Sequence, residues 1–190
     1  RWNRDHIWFH DSELAEWLPP KLEVGESTEL PKSLALRLAR FHVVDNISGQ
    51  EGPFSDQDIK KAEIRVKVDR VEKDQVHLLI TGDFVTKSDG VYKLGETDWK
   101  HFPSRTRGVN ATMHGTAIWN PAKQGFDRFD AILTGTVWGG SGLNGRRGVT
   151  ESKPAKVAWW MELSGDQPAD RLPPAFVDVY GADWILPPGS

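Results

Sequence analysis

Cysteine is absent from the 190 residues. That removes disulfides, thiolate metal sites and cysteine nucleophiles together. Long apolar runs are missing too. None approaches the roughly 18 residues of a membrane helix, so no membrane span is expected. Charge of one sign is not in excess: 24 Lys and Arg stand against 27 Asp and Glu, a net charge of -3. That balance argues against a general nucleic-acid partner. No Walker loop, dinucleotide-binding glycine fingerprint, GxSxG elbow or zinc-finger spacing occurs.

What is present fits a globular protein, with 38% hydrophobic and 27% charged residues. The length suits one domain with short appendages and a real core. Nine tryptophans are many for this length. Most belong in a core, and some can offer stacking surfaces to a flat ligand or a sugar. The chain opens on Arg1 rather than Met, which fits a removed leader or a trimmed boundary equally.

The clearest segment is GFDRFDAILTGTVWGGSGLNGRR, residues 125–147. With period two, Phe129, Ala131, Leu133, Gly135 and Val137 share one small apolar face. Phe126, Arg128, Asp130, Ile132, Thr134, Thr136 and Trp138 share the other. That second face is either a solvated surface or the lining of a site.

Other strands follow the same logic. Ala62, Ile64, Val66 and Val68 alternate with charged residues, and residues 76–86 return as their partner across a polar turn at 72–75. Residues 109–119 and 155–163 read as two further strands, the latter with Trp160 turned away from Val157, Trp159 and Met161.

Helices are expected to be short. Asp11 or Ser12 can cap one that the Pro19-Pro20 pair ends, and Ser55 can cap a single turn. Residues 21–33 read as a polar connector. The stretch 30–46 is ambiguous: Leu34, Leu38 and Phe41 have helical spacing, while Phe41 to Val44 favours a strand. We read it as a helical turn after Pro31 and extended chain from Arg40. Residues 87–108 form a long polar connection carrying Tyr92, Trp99 and Phe102, the sort of loop that often carries function.

Five or six strands joined by turns, without long crossover helices, imply antiparallel pairing. The fold expected is therefore mainly β: an antiparallel meander forming a barrel-like sheet or a sandwich, with short peripheral helices. Closure into a barrel is favoured because it protects edges. The division expected is an N-terminal arm with a short helix (1–20), an antiparallel β domain (21–165) and a C-terminal tail packed back on it (166–190).

Candidate chemistry is sparse. His6 and His10 have the spacing of helical metal ligands, but they precede the helix cap and lack an HExxH pattern, so solvated side chains are the simpler reading. The glycine-rich run 139–145 precedes Arg146 and Arg147. No helix follows to complete a phosphate cradle, so a plain turn is the simpler reading there too. His42, His77 and His114 fall on three expected strands. Convergence of two of them with Asp83 or Asp130 would make a metal or acid–base site. Arg128 and Asp130 lie two apart on one strand face and form either a surface ion pair or part of a polar cluster near Trp138. Asn46 and Asn110 open glycosylation sequons, which matter only in a eukaryotic secretory setting.

The segments LARFHVVDN (38–46), GFDRFDAILTGTVWG (125–139) with the following NGR, and HDSELAEWLP (10–19) resemble stretches of uncharacterised exported bacterial proteins. The resemblance runs over most of the chain. It implies a bacterial, periplasmic or secreted β protein of unknown function, and it carries no catalytic residues over.

The function expected from these readings is a non-catalytic ligand-binding or interaction β domain. Trp99, Arg128, Asp130, Trp138 and Arg146 are the candidate ligand contacts, with no cofactor and no metal. The partner is a small molecule, a carbohydrate or a protein, not nucleic acid. The sequence leaves the oligomeric state open. The competing reading is a hydrolase-like enzyme using a His/Asp or metal site on the sheet.

Overall fold

The computed structural model describes residues 3–47, 52–89, 106–140 and 148–175. Its elements in chain order are α1 (Asp11–Ala15), β1 (Ser27–Glu29), α2 (Lys32–Arg37), β2 (Ile59–Glu72), β3 (Gln75–Ser88), β4 (Arg107–Asn120), β5 (Gly125–Trp138) and β6 (Ala155–Glu162). The six strands form one antiparallel sheet in the order β1-β2-β3-β4-β5-β6.

The meander is the mainly β architecture that the alternating patterns imply. The sheet is open: β1 and β6 stand at its two ends, and no pairing joins them among the described residues. The barrel closure favoured above is therefore not made. Instead one face of the sheet is covered from within the chain. Leu34 and Ala35 of α2, with Leu38, Ala39 and Phe41 after it, are buried in one cluster with Ile64, Ile80, Phe84, Met113 and Leu133 of the sheet.

This arrangement corrects the reading of residues 30–46. The chain stays helical past Arg40. Helix α2 runs directly into a π-helical turn, Leu38–His42, closed by a bond from the Val43 N–H to the Leu38 carbonyl at 2.9 Å. The helical spacing of Leu34, Leu38 and Phe41 wins because all three side chains are buried in one cluster with the sheet. His42 consequently sits in a helical turn and not on a strand.

The β2–β3 hairpin matches its alternation, with Lys73 adopting φ 53° in the tight turn. Strand β5 divides as its period predicts, except at its start. A register shift at Ile118/Trp119 leaves Asp127 as an extra residue, since Trp119 pairs with Phe126 and Ile118 with Arg128. Phe126 therefore does not share the face of Arg128. It packs on the core side, edge-on to Trp119 at 5.1 Å and to Phe129 at 5.8 Å. Strand β1 lies inside the segment read as a polar connector; three residues are too few to show a period.

Tight approach within the sheet is bought with glycine. A Cβ on Gly135 would stand 2.0 Å from the Asn110 carbonyl oxygen and 2.6 Å from the Ala111 Cα. Only hydrogen fits there, which lets the backbones of β4 and β5 approach closely.

Two buried arginines fasten the periphery, one by an ion pair and one through backbone carbonyls. Arg37 reaches Glu13 through two parallel bonds of 2.9 Å, joining α2 to α1, with the guanidinium 4.9 Å from the centre of the Phe9 ring. Glu13 also accepts from the His10 N–H at 2.9 Å, closing the first turn of α1. Arg107, buried at the start of β4, donates to the carbonyls of Gly52 (2.8 Å) and Pro53 (2.9 Å). No helix of the described residues is long and apolar enough to cross a membrane.

Candidate functional site

The sheet has two faces, and the expected contacts lie on the outer one. Arg128 and Asp130 form an ion pair there, and Arg128 is two-thirds exposed. The outer row through Asp130 holds Leu79, Thr116 and Glu162, and the next row holds Thr81, His114, Ile132 and Trp160. Trp138 lies at the far end of β5, eight residues from Asp130, or about 26 Å along an extended strand. Its ring lies against Gly108, where a Cβ would come within 2.3 Å of the indole. The Trp138 Nε1 is buried without a hydrogen-bond partner among the described residues. Arg128, Asp130 and Trp138 thus share a face but do not meet. Trp99, Arg146 and Arg147 lie outside the described residues.

The three histidines do not converge either. His42 is on the inner side, in the π turn. His77 is near the start of β3, 3.3 Å from an Arg70 nitrogen and 3.8 Å from a Glu72 oxygen. His114 is exposed in the middle of the outer face. Asp83 is already engaged by the Lys61 ammonium at 2.9 Å, which, against the small cost of desolvation, holds its carboxyl below the ordinary range. Among the described residues no three His, Asp or Glu side chains gather as a metal site.

The concave features lie elsewhere, at the β6 edge. Residues 3–10 run as an extended arm, and two cavities lie between this arm and β6. The larger, about 600 Å³, reaches inward from Asp5 and Ile7 to His42, Val44, Phe84, Leu133 and Trp159. The smaller, about 490 Å³, is lined by His6, Trp8, Phe9, Trp17, Phe126 and Phe129. Arg4, Asp5, Ile7, Trp160, Met161 and Glu162 line both, so the two form one trough crossed by the arm.

The period-two geometry of β6 explains this use of its residues. Trp159 points inward, and its Nε1 donates to the Val44 carbonyl at 3.0 Å, fixing the strand to the segment after the π turn. Trp160 points the other way and is 68% exposed, at the last strand of the sheet. From there it borders the trough on one side. On the other it borders a shallow outer groove with Leu79, His114 and Ile132.

One polar cluster sits in the trough. Asp5 Oδ2 lies 3.2 Å from His42 Nδ1, and Asp5 Oδ1 accepts the backbone N–H groups of His6 and Ala175, each at 2.8 Å. Burial works against ionisation of Asp5, but the bonds from His42, Ala175 and His6 outweigh it and hold the carboxyl below its ordinary value. The His42 side chain is 5% exposed. Arg4 is paired with Asp170. An oriented imidazole of this kind can act as a base. The described lining of the larger cavity offers it no Ser, Thr, Tyr or Lys to activate. Ser164, on the smaller cavity, donates its hydroxyl to the Asp170 carbonyl at 2.8 Å.

Sequence reasoning turned Trp160 away from the inward face of its strand without giving it a role, and missed Asp5 altogether. The available signal was the density of Trp8, Phe9, Trp17 and His6 in a short arm. No family model, no curated protein and no solved structure matches the chain. The resemblance to exported bacterial proteins gains no support from those comparisons.

Proposed function

We propose that this chain is a non-catalytic ligand-binding β domain whose site is the trough between the N-terminal arm and β6. The observation that carries the reading is the lining of the larger cavity. Ile7, Val44, Phe84, Leu133, Trp159 and Trp160 give it an apolar and aromatic wall, and Asn3, Arg4, Asp5, His42, Asn46 and Glu162 supply polar side chains. Small-molecule sites have this size and this composition, an apolar body with few polar groups that set orientation. The ligand class is a small molecule with an apolar body and polar substituents. An extracytoplasmic location belongs to the same proposal, and detection of the native chain in cell fractions tests it.

The test is a small-molecule screen read by tryptophan fluorescence, run in parallel on the Ala158→Phe variant. Ala158 lines the larger cavity with an exposed side chain, so a ring there fills space without disturbing the core. Ligands of the trough are expected to bind the native protein and to lose at least about tenfold in the variant, with unchanged thermal unfolding. A screen without a binder, or binders indifferent to Ala158→Phe, overturns the reading.

The Asp5–His42 pair supports a second reading, hydrolysis by an imidazole-activated water. Turnover of p-nitrophenyl acetate that is lost in both His42→Gln and Asp5→Asn would put this reading in place of the first.

A further inference from the structure

The two ends of the sheet are finished differently. At one end β1 has only three residues, and β2 beside it carries Lys60, Lys61, Asp69 and Arg70 beyond the stretch that β1 covers. Short strands and charges of this kind keep an edge from pairing with another chain. At the other end β6 is eight residues long and carries two charges, Lys156 near its start and Glu162 at its end. Between them stand Val157, Ala158, Trp159, Trp160 and Met161.

The far edge of β6 is open. Among the described residues no backbone–backbone bond joins β6 to anything but β5. Every residue from 158 to 164 keeps exposed or half-exposed surface. The N-terminal arm is anchored on the inner side, Asp5 on His42 and Ile7 and Phe9 against the core. Half of the peptide groups of an edge strand point away from the sheet, and they can accept a further strand.

From this we infer that β6 pairs antiparallel with β6 of a second copy of this chain, about a two-fold axis at Trp159. The charges of the strand select that occupant and that register. With Trp159 opposite the partner's Trp159, Lys156 falls opposite the partner's Glu162 and Glu162 opposite the partner's Lys156, so two ion pairs form across the axis. Lys156 and Glu162 are exposed and have no ion pair within the chain among the described residues. Ala158 falls opposite the partner's Trp160, a small side chain against a large one, on the same outer face as the charges. Val157 falls opposite the partner's Met161 on the inner face. A register two places to either side sets Lys156 against the partner's Trp160 or the partner's Ser164 and loses both ion pairs. The inference does not depend on what the trough holds.

The test is sedimentation velocity of the full chain from low micromolar to millimolar concentration, combined with charge reversal. Native protein is expected to pass from monomer to dimer over that range. Lys156→Glu and Glu162→Lys each set like charges opposite one another twice, and each is expected to weaken the dimer at least about tenfold. The exchanged variant, carrying both substitutions, remakes both pairs and should return to within about threefold of the native affinity. Its recovery also shows that the losses in the single variants are not failures to fold. Cross-linking fixes the register. The chain has no cysteine of its own, so Lys156→Cys combined with Glu162→Cys should give a disulfide-linked dimer on mild oxidation. Lys156→Cys alone should not, since its two thiols would stand about 20 Å apart along the strands. A chain that stays monomeric throughout, a dimer indifferent to the reversals, an exchanged variant that does not recover, or a double cysteine variant that cross-links no better than the single one would overturn the inference.

Discussion

Asp5 and His42 are 37 positions apart in the chain, and a carboxylate oxygen of the first lies 3.2 Å from Nδ1 of the second. The contact ties the N-terminal arm to the π turn, and the same carboxylate ties the arm to Ala175. Among the described residues 3–9, no backbone–backbone hydrogen bond joins the arm to the sheet. Side chains hold it: Ile7 and Phe9 against the core, Arg4 on Asp170, and Asp5. Asp5→Asn is therefore expected to raise amide exchange in residues 3–10 while leaving β3 and β4 protected, because elements with few backbone bonds open locally.

The pH dependence of that clasp has a definite sign. The folded-state carboxyl of Asp5 sits below its ordinary value of 3.8. A depressed pKa adds stability above the unfolded value, and that stability is lost as pH falls through the folded one. The difference in melting temperature between native protein and Asp5→Asn should thus be constant above about pH 5 and shrink steadily below 3.8. A difference that grows on acidification would contradict the assignment.

Asp127, the extra residue of the β5 bulge, is held by a Lys123 ammonium at 2.7 Å and by the amides of Asn120 (2.9 Å) and Gln75 (3.1 Å). These three partners lower its carboxyl to about 2. Its stabilising effect on the β4–β5 turn is expected to be complete above 3.8 and to disappear as pH approaches 2. Carboxyl-carbon chemical shifts measured against pH should give a midpoint near 2 for Asp127. A midpoint near 3.8 would mean that the three bonds do not persist in solution.

Gly135→Ala tests the close approach of β4 and β5. The added methyl meets backbone atoms at 2.0 and 2.6 Å, which cannot move aside as a flexible side chain would. Overpacking of this kind costs about 1–3 kcal/mol, and the urea midpoint should fall accordingly. Gly125→Ala is the control, since its nearest neighbour would be 3.8 Å away. Equal effects of the two substitutions would remove the steric account of the close approach of β4 and β5.

The sheet was legible because its evidence is local. Ile64, Val66 and Val68 alternate with charges, and a strand buried on one face must read that way. Phe126 was assigned to the wrong face because a bulge at Asp127 breaks the period without leaving a mark in composition. The 30–46 stretch carried both periods at once. The choice between them was made by the sheet face that Leu34 and Leu38 pack against, which is a tertiary fact. The trough was illegible for the same reason. Its polar corner joins Asp5 to Ala175, 170 positions away, and no spacing rule reaches so far. Closure of the sheet was favoured as protection for bare edges, yet at the β6 end the arm and its aromatics stand alongside the last strand.

Trp160 separates a binding role from a structural one. It is 68% exposed, so Trp160→Ala should change stability by no more than about 0.5 kcal/mol. Phe84 lines the same larger cavity but is fully buried, and Phe84→Ala should cost about 3–5 kcal/mol. Urea unfolding of the two variants fixes these values. If Trp160 serves the trough, its removal should weaken binding of any trough ligand several-fold while the midpoint stays put, because an exposed ring contributes contact area to a guest and almost none to the core. A midpoint that drops as far as that of Phe84→Ala would make Trp160 part of the packing, and the mouth of the trough would then have to be sought on the Trp8 side.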